Sequence, residues 1–182
     1  MLFWILVPLF LLLLSYKLVL AFYPLTAAQE KALQFLNNAG ELIVPYSAAE
    51  VSHLEDVATV MKRAEIVFFL SGMVILGISF YFRKNKEQLH RLLKYGGIGT
   101  LTAVLVILTA LILNFNSLFT LFHQIFFPQG NWQFAANSLL IQTFLVEFFV
   151  SIGRRIFILT LIFGGVFIGT AYLLKKKMKK EN

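Results

Sequence analysis

Cysteine is absent from this 182-residue chain, and charged residues make up only 14% of it. The first absence excludes disulfides, thiol nucleophiles and metal sites that contain cysteine. The sequence also lacks the His-Glu-x-x-His pattern of zinc proteases, the Gly-x-Ser-x-Gly pattern of serine hydrolases, phosphate loops and dinucleotide-binding fingerprints. Nothing in the chain therefore indicates the enzyme classes that are easiest to recognise from sequence.

Apolar residues make up 59% of the chain, and its mean hydropathy is +0.79. This composition is typical of an integral membrane protein. A bilayer core needs about 20 apolar residues per helix, and the runs of suitable length are 2–22, 66–82, 96–115 and 156–174. The first run lacks a basic start and a cleavage site, so we expect a retained span and not a signal peptide. The sequence predicts one all-α membrane domain with four transmembrane helices.

Lysine and arginine are concentrated in segment 83–95 and in the tail 175–182. Short cytoplasmic segments accumulate these residues, so both termini are predicted to be cytoplasmic. The connections 23–65 and 116–153 then face outward, and we expect them to form a small extracytoplasmic cap. Anionic lipid on the inner leaflet explains the net charge of +7. No nucleic acid partner is indicated.

Two capping boxes are visible in the first outer connection. Thr26-x-x-Gln29 predicts the start of a short amphipathic helix, which we expect Gly40 to close. Ser47-x-x-Glu50 predicts a second helix that runs toward the second span.

His53 lies near the start of this second helix, among apolar neighbours, with Asp56 three residues later on the adjoining surface. A straight helix to residue 66, at about 1.5 Å per residue, would lift the imidazole roughly 20 Å above the hydrocarbon. Either the helix bends near Lys62 and Arg63, or the bundle extends upward and the second connection rises to meet it.

The second outer connection is rich in aromatic residues. Segment 114–149 contains ten of them together with His123, and it has no lysine or arginine. The aromatic residues around His123 recur at helical spacing until Pro128 and Gly130 break the pattern. We expect a second apolar helix over 139–150.

The residues at the start of the third span have simple structural interpretations. His90 lies in the basic cytoplasmic segment, where we expect it to face solvent or lipid headgroups. Gly96, Gly97 and Gly99 open the span and predict close packing against another helix.

Both outer connections carry a string that resembles one family. The strings are SHLEDV at 52–57 and FHQIFF at 122–127, the second followed by Trp132 and Phe134, and Phe148-Phe149 precedes the last span. They resemble the lipoprotein intramolecular transacylase (Lit) family of bacterial membrane enzymes.

The resemblance implies an enzyme of the bacterial plasma membrane whose active site lies at the extracytoplasmic face. Its substrate would be a diacylglyceryl lipoprotein, and it would move an acyl chain from the sn-2 glyceryl oxygen to the α-amino group of the N-terminal cysteine. The product is a lyso-form lipoprotein. The resemblance implies no cofactor, and we infer no obligate protein partner. The family's two catalytic histidines correspond to His53 and His123.

Elementary acid–base chemistry agrees with this assignment. An α-amino group has a pKa of about 7.7 to 8.0 and an imidazole about 6.5, so proton transfer between them is nearly balanced. One histidine can deprotonate the amine while the other protonates the departing oxygen, and the sequence leaves open which does which. Asp56 is predicted to orient His53 or to stabilise its cation.

We expect an aromatic pocket beside the histidines, which would bind the substrate and the surrounding lipid. The residues predicted to line it are Phe122, Phe126, Phe127, Trp132 and Phe134. Arg154 lies at the outer start of the last span, where it could bind phosphate headgroups or the substrate's carbonyls.

Two other functions stay open. His53, His123 and Asp56 could bind zinc in a membrane hydrolase, because two imidazoles and a carboxylate leave a water position on the metal. Alternatively, the chain is a non-catalytic accessory or lipid-binding protein. A proton-coupled transporter is disfavoured, because the spans lack a charged relay near mid-membrane.

Overall fold

The computed structural model describes residues 2–38, 40–42 and 44–181, and these segments are helical with short connections. The elements in chain order are α1 (Leu2–Phe22), α2 (Ala27–Leu36), α3 (Ala48–Tyr81), α4 (Lys86–Phe126), α5 (Leu139–Thr143) and α6 (Val146–Glu181). Within the described residues, α1, α3, α4 and α6 are the four helices long and apolar enough to cross a membrane. The prediction of an all-α protein with four such helices is confirmed.

Three of the long helices continue well beyond the predicted spans. α3 and α4 are separated only by 82–85, so most of the predicted loop 83–95 is helical. α6 begins at Val146 and not near residue 156. Hydropathy identifies only the part of a helix that is apolar on all sides, whereas backbone hydrogen bonding continues into amphipathic sequence. Where the membrane boundaries fall along these helices stays a prediction.

The predicted apolar helix over 139–150 is wrong, because it is divided between two elements. α5 ends at Thr143, and Phe144 has the non-helical angles φ −120° and ψ 73°. The carbonyl of Thr143 accepts a hydrogen bond of 2.9 Å from the Gln29 side chain. This bond holds the carbonyl toward α2 at the point where the chain turns. Glu147, which the prediction placed inside the helix 139–150, lies in the first turn of α6.

Both predicted capping boxes form. The Thr26 hydroxyl accepts from the Gln29 backbone N–H, and the Gln29 side chain accepts from the Thr26 backbone N–H at the start of α2. Ser47 and Glu50 make the same reciprocal pair at the start of α3. These bonds satisfy backbone donors that a helix start leaves without partners.

The end of α2 differs from the prediction. The helix ends at Leu36 with Asn37 as its C-cap, before Gly40 is reached. The left-handed residue is Asn38, at φ 55°. Asparagine tolerates this conformation because its short polar side chain can form local hydrogen bonds, so no glycine is required.

The question of how His53 is positioned is resolved by the lengths of α3 and α4. α3 is one uninterrupted helix over 34 residues, and α4 extends to Phe126. A kink at Asn114 divides α4, and the Asn114 side chain accepts from the Ser117 backbone N–H, so the helix restarts with a new cap. The bundle therefore rises to meet His53, which was the second of the two arrangements considered above.

The two long connections pack on each other at this end of the bundle. Their shared core contains Leu36, Tyr46, Leu54 and Leu140. Glu50 is buried among them and accepts a 2.7 Å hydrogen bond from the Leu140 backbone N–H in addition to its bonds with Ser47. One carboxylate therefore links the start of α3 to the start of α5, where both helix dipoles favour a negative charge.

His90 is not exposed, so the prediction for it was wrong. Its side chain is buried, and Nδ1 lies 2.8 Å from the Ala171 carbonyl oxygen of α6. A carbonyl only accepts, so Nδ1 carries the proton and donates. His90 links α4 to α6 at the end of the bundle opposite His53.

The glycines that open the third span permit close helix packing, as predicted. A Cβ at Gly97 would lie 2.7 Å from the Gly164 carbonyl oxygen of α6, and one at Gly99 would lie 3.0 Å from the Trp4 carbonyl oxygen of α1. The backbone of α4 therefore packs closely against the backbones of α1 and α6 at these glycines.

We predict that Gly97→Ala lowers the free energy of unfolding by about 1–3 kcal/mol, because the added methyl group must push the α6 backbone away. Thermal unfolding of the purified protein in detergent measures the change. Gly165→Ala is the matched control, since a Cβ there meets nothing within 4 Å. Equal stability of the two variants would contradict the assignment of Gly97 as a packing position.

Candidate functional site

His53 and His123 meet at one end of the bundle. His53 lies in the second turn of α3 and His123 in the last turn of α4. Their ring centroids are 6.4 Å apart, and the ring planes differ by 23°. Residues that are distant in sequence therefore form one pair, because α3 and α4 rise to the same height.

His123 is held in a defined tautomer. Its Nδ1 lies 2.7 Å from the Phe119 carbonyl oxygen, one helical turn earlier. Because the carbonyl only accepts, Nδ1 carries the proton, and Nε2 of the neutral ring keeps a free lone pair. The imidazole also lies against the rings of Phe119, at 4.0 Å, and Trp132, at 4.8 Å. It is only partly exposed, with its basic nitrogen free.

His53 is the more buried of the pair, with 8% of its surface exposed. Its ring lies 4.8 Å from Phe127 and 5.6 Å from Phe134. Nδ1 is fully buried and has no hydrogen-bond partner in the described part of the chain. The second ring nitrogen, Nε2, is the one that remains accessible.

Both imidazoles have pKa values below the ordinary histidine value, and both lie outside the predicted spans. Burial lowers the pKa of His53 most, and the nearby charge of protonated His123 lowers it further, whereas Asp56 and the Asn131 amide oppose this change. Burial also lowers the pKa of His123, against the effect of its bond to the Phe119 carbonyl. The neutral, proton-accepting form of each ring is therefore favoured near pH 7.

The predicted aromatic residues surround the pair to different degrees. Phe127 is almost fully buried and contacts both His53 and His123, at 4.8 and 5.5 Å. Phe122 lies 5.4 Å from His123 and is about half exposed. Phe126 is one ring further out, against Phe122 at 4.7 Å. Together with Trp132 and Phe134, these rings form an apolar wall around the pair.

Arg154 is not part of this wall. It is exposed on α6 and makes no hydrogen bond or ion pair with the residues whose positions are described. Its neighbour Arg155 lies over the Tyr23 ring at 4.9 Å. Contact of Arg154 with a substrate or a headgroup stays a prediction.

Asp56 does not contact His53 directly. Its Oδ2 accepts two hydrogen bonds of 2.6 Å, one from the Gln129 amide and one from the Asn131 amide. The carboxylate therefore holds the turn 128–131, which follows α4, against α3. Its effect on His53 is electrostatic and favours the imidazolium form.

Sequence reasoning gave no site role to Phe119 or Asn131. Phe119 could have been found, because a residue four positions before His123 lies directly below it on a helix. Asn131 carries no such signal. It is a single polar residue in a turn, and only the fold of that turn over α3 brings it to Asp56 and Ser52.

The residues proposed for a zinc site do not assemble into one. Across the described segments, no group of three His, Cys, Asp or Glu side chains is close enough to hold a metal ion. The Asp56 carboxylate, the third donor considered, accepts instead from two amide groups.

Comparison with known proteins identifies the family. The family model for lipoprotein intramolecular transacylase Lit matches residues 25–149. The solved structure of the membrane integral lipoprotein intramolecular transacylase Lit from Bacillus cereus is similar, with a TM-score of 0.84 at 18% identity over 98% of this chain and 97% of that one. A point-mutant structure of the same protein gives a TM-score of 0.83 at 18% identity over 99% and 92%. A comparison with curated proteins finds no match.

At 18% identity the structural likeness shows a shared fold, which is that of a multi-pass membrane protein. The family model covers well over half of the chain, including both histidines and the aromatic wall. These findings confirm the resemblance seen in the sequence. This chain belongs to the lipoprotein intramolecular transacylase (Lit) family, a family of acyl-transferring membrane enzymes.

Proposed function

We propose that this enzyme moves an acyl chain within a diacylglyceryl lipoprotein, from the sn-2 glyceryl ester to the α-amino group of the N-terminal cysteine, with His53 and His123 as general acid and base. The observation that carries this proposal is the pair of imidazoles, 6.4 Å apart and enclosed by aromatic rings. No enzyme nucleophile is needed, because the amine and the ester belong to one molecule.

The spacing of the rings suits the reaction. In the tetrahedral intermediate, the attacking nitrogen and the departing oxygen are bonded to the same carbon. A proton acceptor and a proton donor must each lie within about 3 Å of one of these atoms. Two rings with centroids 6.4 Å apart can flank such a centre, one serving the nitrogen and the other serving the oxygen.

The proton balance closes within the pair. As nitrogen attacks the acyl carbon, a neutral imidazole removes its proton. The bond between that carbon and the glyceryl oxygen then breaks, and an imidazolium donates a proton to the oxygen. Because the charge of protonated His123 opposes protonation of His53, the doubly protonated pair, which would contain no base, is disfavoured. The singly protonated pair is the state that supplies one base and one acid.

The aromatic wall has two physical roles in this proposal. Attack closes a medium-sized ring through the cysteine backbone, its sulfur and two glyceryl carbons, and such rings close reluctantly. A pocket that folds the substrate beforehand removes part of this entropic cost. Rings such as Phe127 and Phe134 also exclude water, which would otherwise compete with the amine for the ester.

The location of the site follows from the distribution of charge. With the basic segment 83–95 and the tail 175–182 in the cytoplasm, the end of the bundle that carries the histidines lies at the extracytoplasmic face of the bacterial plasma membrane. Substrate lipoproteins and lipid acyl chains would reach the aromatic wall there. The exposed rings of Phe122 and Phe126 suit contact with acyl chains. The proposal requires no cofactor, nucleic acid or obligate protein partner.

We predict that His53→Ala and His123→Ala each lower the rate of acyl transfer at least about 100-fold, since general acid–base catalysis contributes that much or more. Mass spectrometry of the N-terminal peptide of a lipoprotein, from cells that express each variant at equal level, measures the lyso-form. His90→Gln is the control, because His90 lies at the other end of the bundle. Normal product from either alanine variant would remove that histidine from the mechanism.

The acyl-transfer rate should fall at acidic pH as the base becomes protonated. Because both imidazole pKa values are lowered, the enzyme's part of the profile should have its midpoint below pH ~6.5, the unperturbed histidine pKa, whereas the substrate's α-amino group titrates at about 7.7 to 8.0. Asp56 raises the pKa of His53, so Asp56→Asn should move the midpoint to lower pH if His53 is the base. Rates with a synthetic diacylglyceryl lipopeptide in detergent measure this. An Asp56→Asn profile identical to the wild-type profile would contradict a proton-transfer role of His53.

Strong chelators should leave the activity intact, because the proposed proton transfers use no metal. The same lipopeptide is incubated with the enzyme after dialysis against a zinc chelator, and both lyso-lipopeptide and free fatty acid are measured. Loss of activity that zinc restores, with fatty acid as the product, would support the metal-dependent hydrolase instead.

A further inference from the structure

Asn131 has a fixed amide orientation. Its Nδ2 donates to Asp56 Oδ2 at 2.6 Å and to Ser52 Oγ at 3.3 Å. A carboxylate only accepts hydrogen bonds, so the nitrogen must face Asp56. The amide oxygen, Oδ1, therefore points away from Asp56, and it is buried without a donor.

His53 Nδ1 is in the complementary situation. It is also buried and has no hydrogen-bond partner. Among the described residues, His53 Nδ1 and Asn131 Oδ1 are the buried side-chain nitrogen and oxygen atoms that lack a partner. The Asn131 amide is close enough to favour protonation of His53. Buried polar groups in folded proteins are nearly always paired. Asn131 Nδ2 contacts Ser52 and Asp56, which lie on either side of His53 in the sequence of α3, so the Asn131 amide is beside the residue that carries the unpaired nitrogen.

We propose that Asn131 is a positioning residue for His53, whose Nδ1–H donates to Asn131 Oδ1. This inference rests on the proposed function and deepens it. Asp56 orients Asn131, Asn131 fixes the tautomer of His53, and Nε2 of His53 is left with its lone pair free. The Phe119 carbonyl imposes the same tautomer on His123. Both rings then present Nε2 to the substrate. Because Asn131 lies between the two residues, Asp56 can orient His53 without touching it.

Gln129 provides a control for a merely structural role of Asn131. Its amide also donates to Asp56 Oδ2 at 2.6 Å, so both side chains tie the same turn to the same carboxylate. His53 interacts with Asn131 and not with Gln129. If the turn alone mattered, Asn131→Leu and Gln129→Leu would have equal effects.

The test is the tautomer of His53, read from the ¹⁵N chemical shifts of the full-length protein labelled at histidine, in detergent and at a pH where the ring is neutral. The His53 signals are assigned by their loss in His53→Gln. We expect the Nδ1–H tautomer in the wild type and in Gln129→Leu, and a mixture or the Nε2–H tautomer in Asn131→Leu. A wild-type spectrum with the Nε2–H tautomer would overturn the proposal without any variant having to fold.

Asp56→Asn supplies a second, milder variant. An amide at this position can donate as well as accept, so it no longer dictates which way Asn131 faces. We expect mixed His53 tautomers in this variant as well. A pure Nδ1–H tautomer in both Asn131→Leu and Asp56→Asn would overturn the proposal.

Activity gives an independent readout. Asn131→Leu should reduce acyl transfer about tenfold, the value of one buried hydrogen bond, while Gln129→Leu should reduce it much less. If His53→Ala retains full activity, the proposed function fails whatever the tautomer. If His53 is essential and its wild-type tautomer is Nε2–H, only the role of Asn131 fails.

Discussion

The rise of a helix, about 1.5 Å per residue, is the constraint on which the site depends. His53 lies thirteen residues before the predicted second span. On a straight helix its imidazole would therefore lie far above the hydrocarbon, and it would have no neighbours there unless other elements extended equally far. α3 and α4 meet this constraint together, since both continue past their apolar segments. His53 and His123 consequently face each other at the same height, and the turn that follows α4 closes over them.

This arrangement depends on polar contacts as much as on apolar packing. Glu50 links the start of α3 to α5, and Asp56 holds the turn after α4 through two amide groups. Each carboxylate is satisfied by donors from a different part of the chain. Such bonds hold the long connections against the start of α3, where His53 lies.

The aromatic rings alter the chemistry of the imidazoles. Burial against Phe127 and Phe134 disfavours the cation on His53, and the second histidine disfavours it further. This effect of the rings results from low polarity rather than from any direct bond.

Much of the architecture was readable from local sequence. The apolar runs gave the long helices, the capping boxes at Thr26 and Ser47 gave two helix starts, and Gly97 indicated close packing. The errors arose where a distant residue overrides the local pattern. Gln29 helps to turn the chain at Thr143, and Ala171 provides a buried acceptor that draws His90 out of solvent.

The sequence by itself determined the class of the protein, its two basic segments and the two histidine strings, because hydropathy, charge and motifs are properties of neighbouring residues. Only the tertiary structure decided which atoms meet. The ring spacing of His53 and His123, the amides that occupy Asp56 and the unpaired oxygen of Asn131 depend on contacts between separate elements. No local pattern encodes such contacts, since they depend on where the turn after α4 lies against α3.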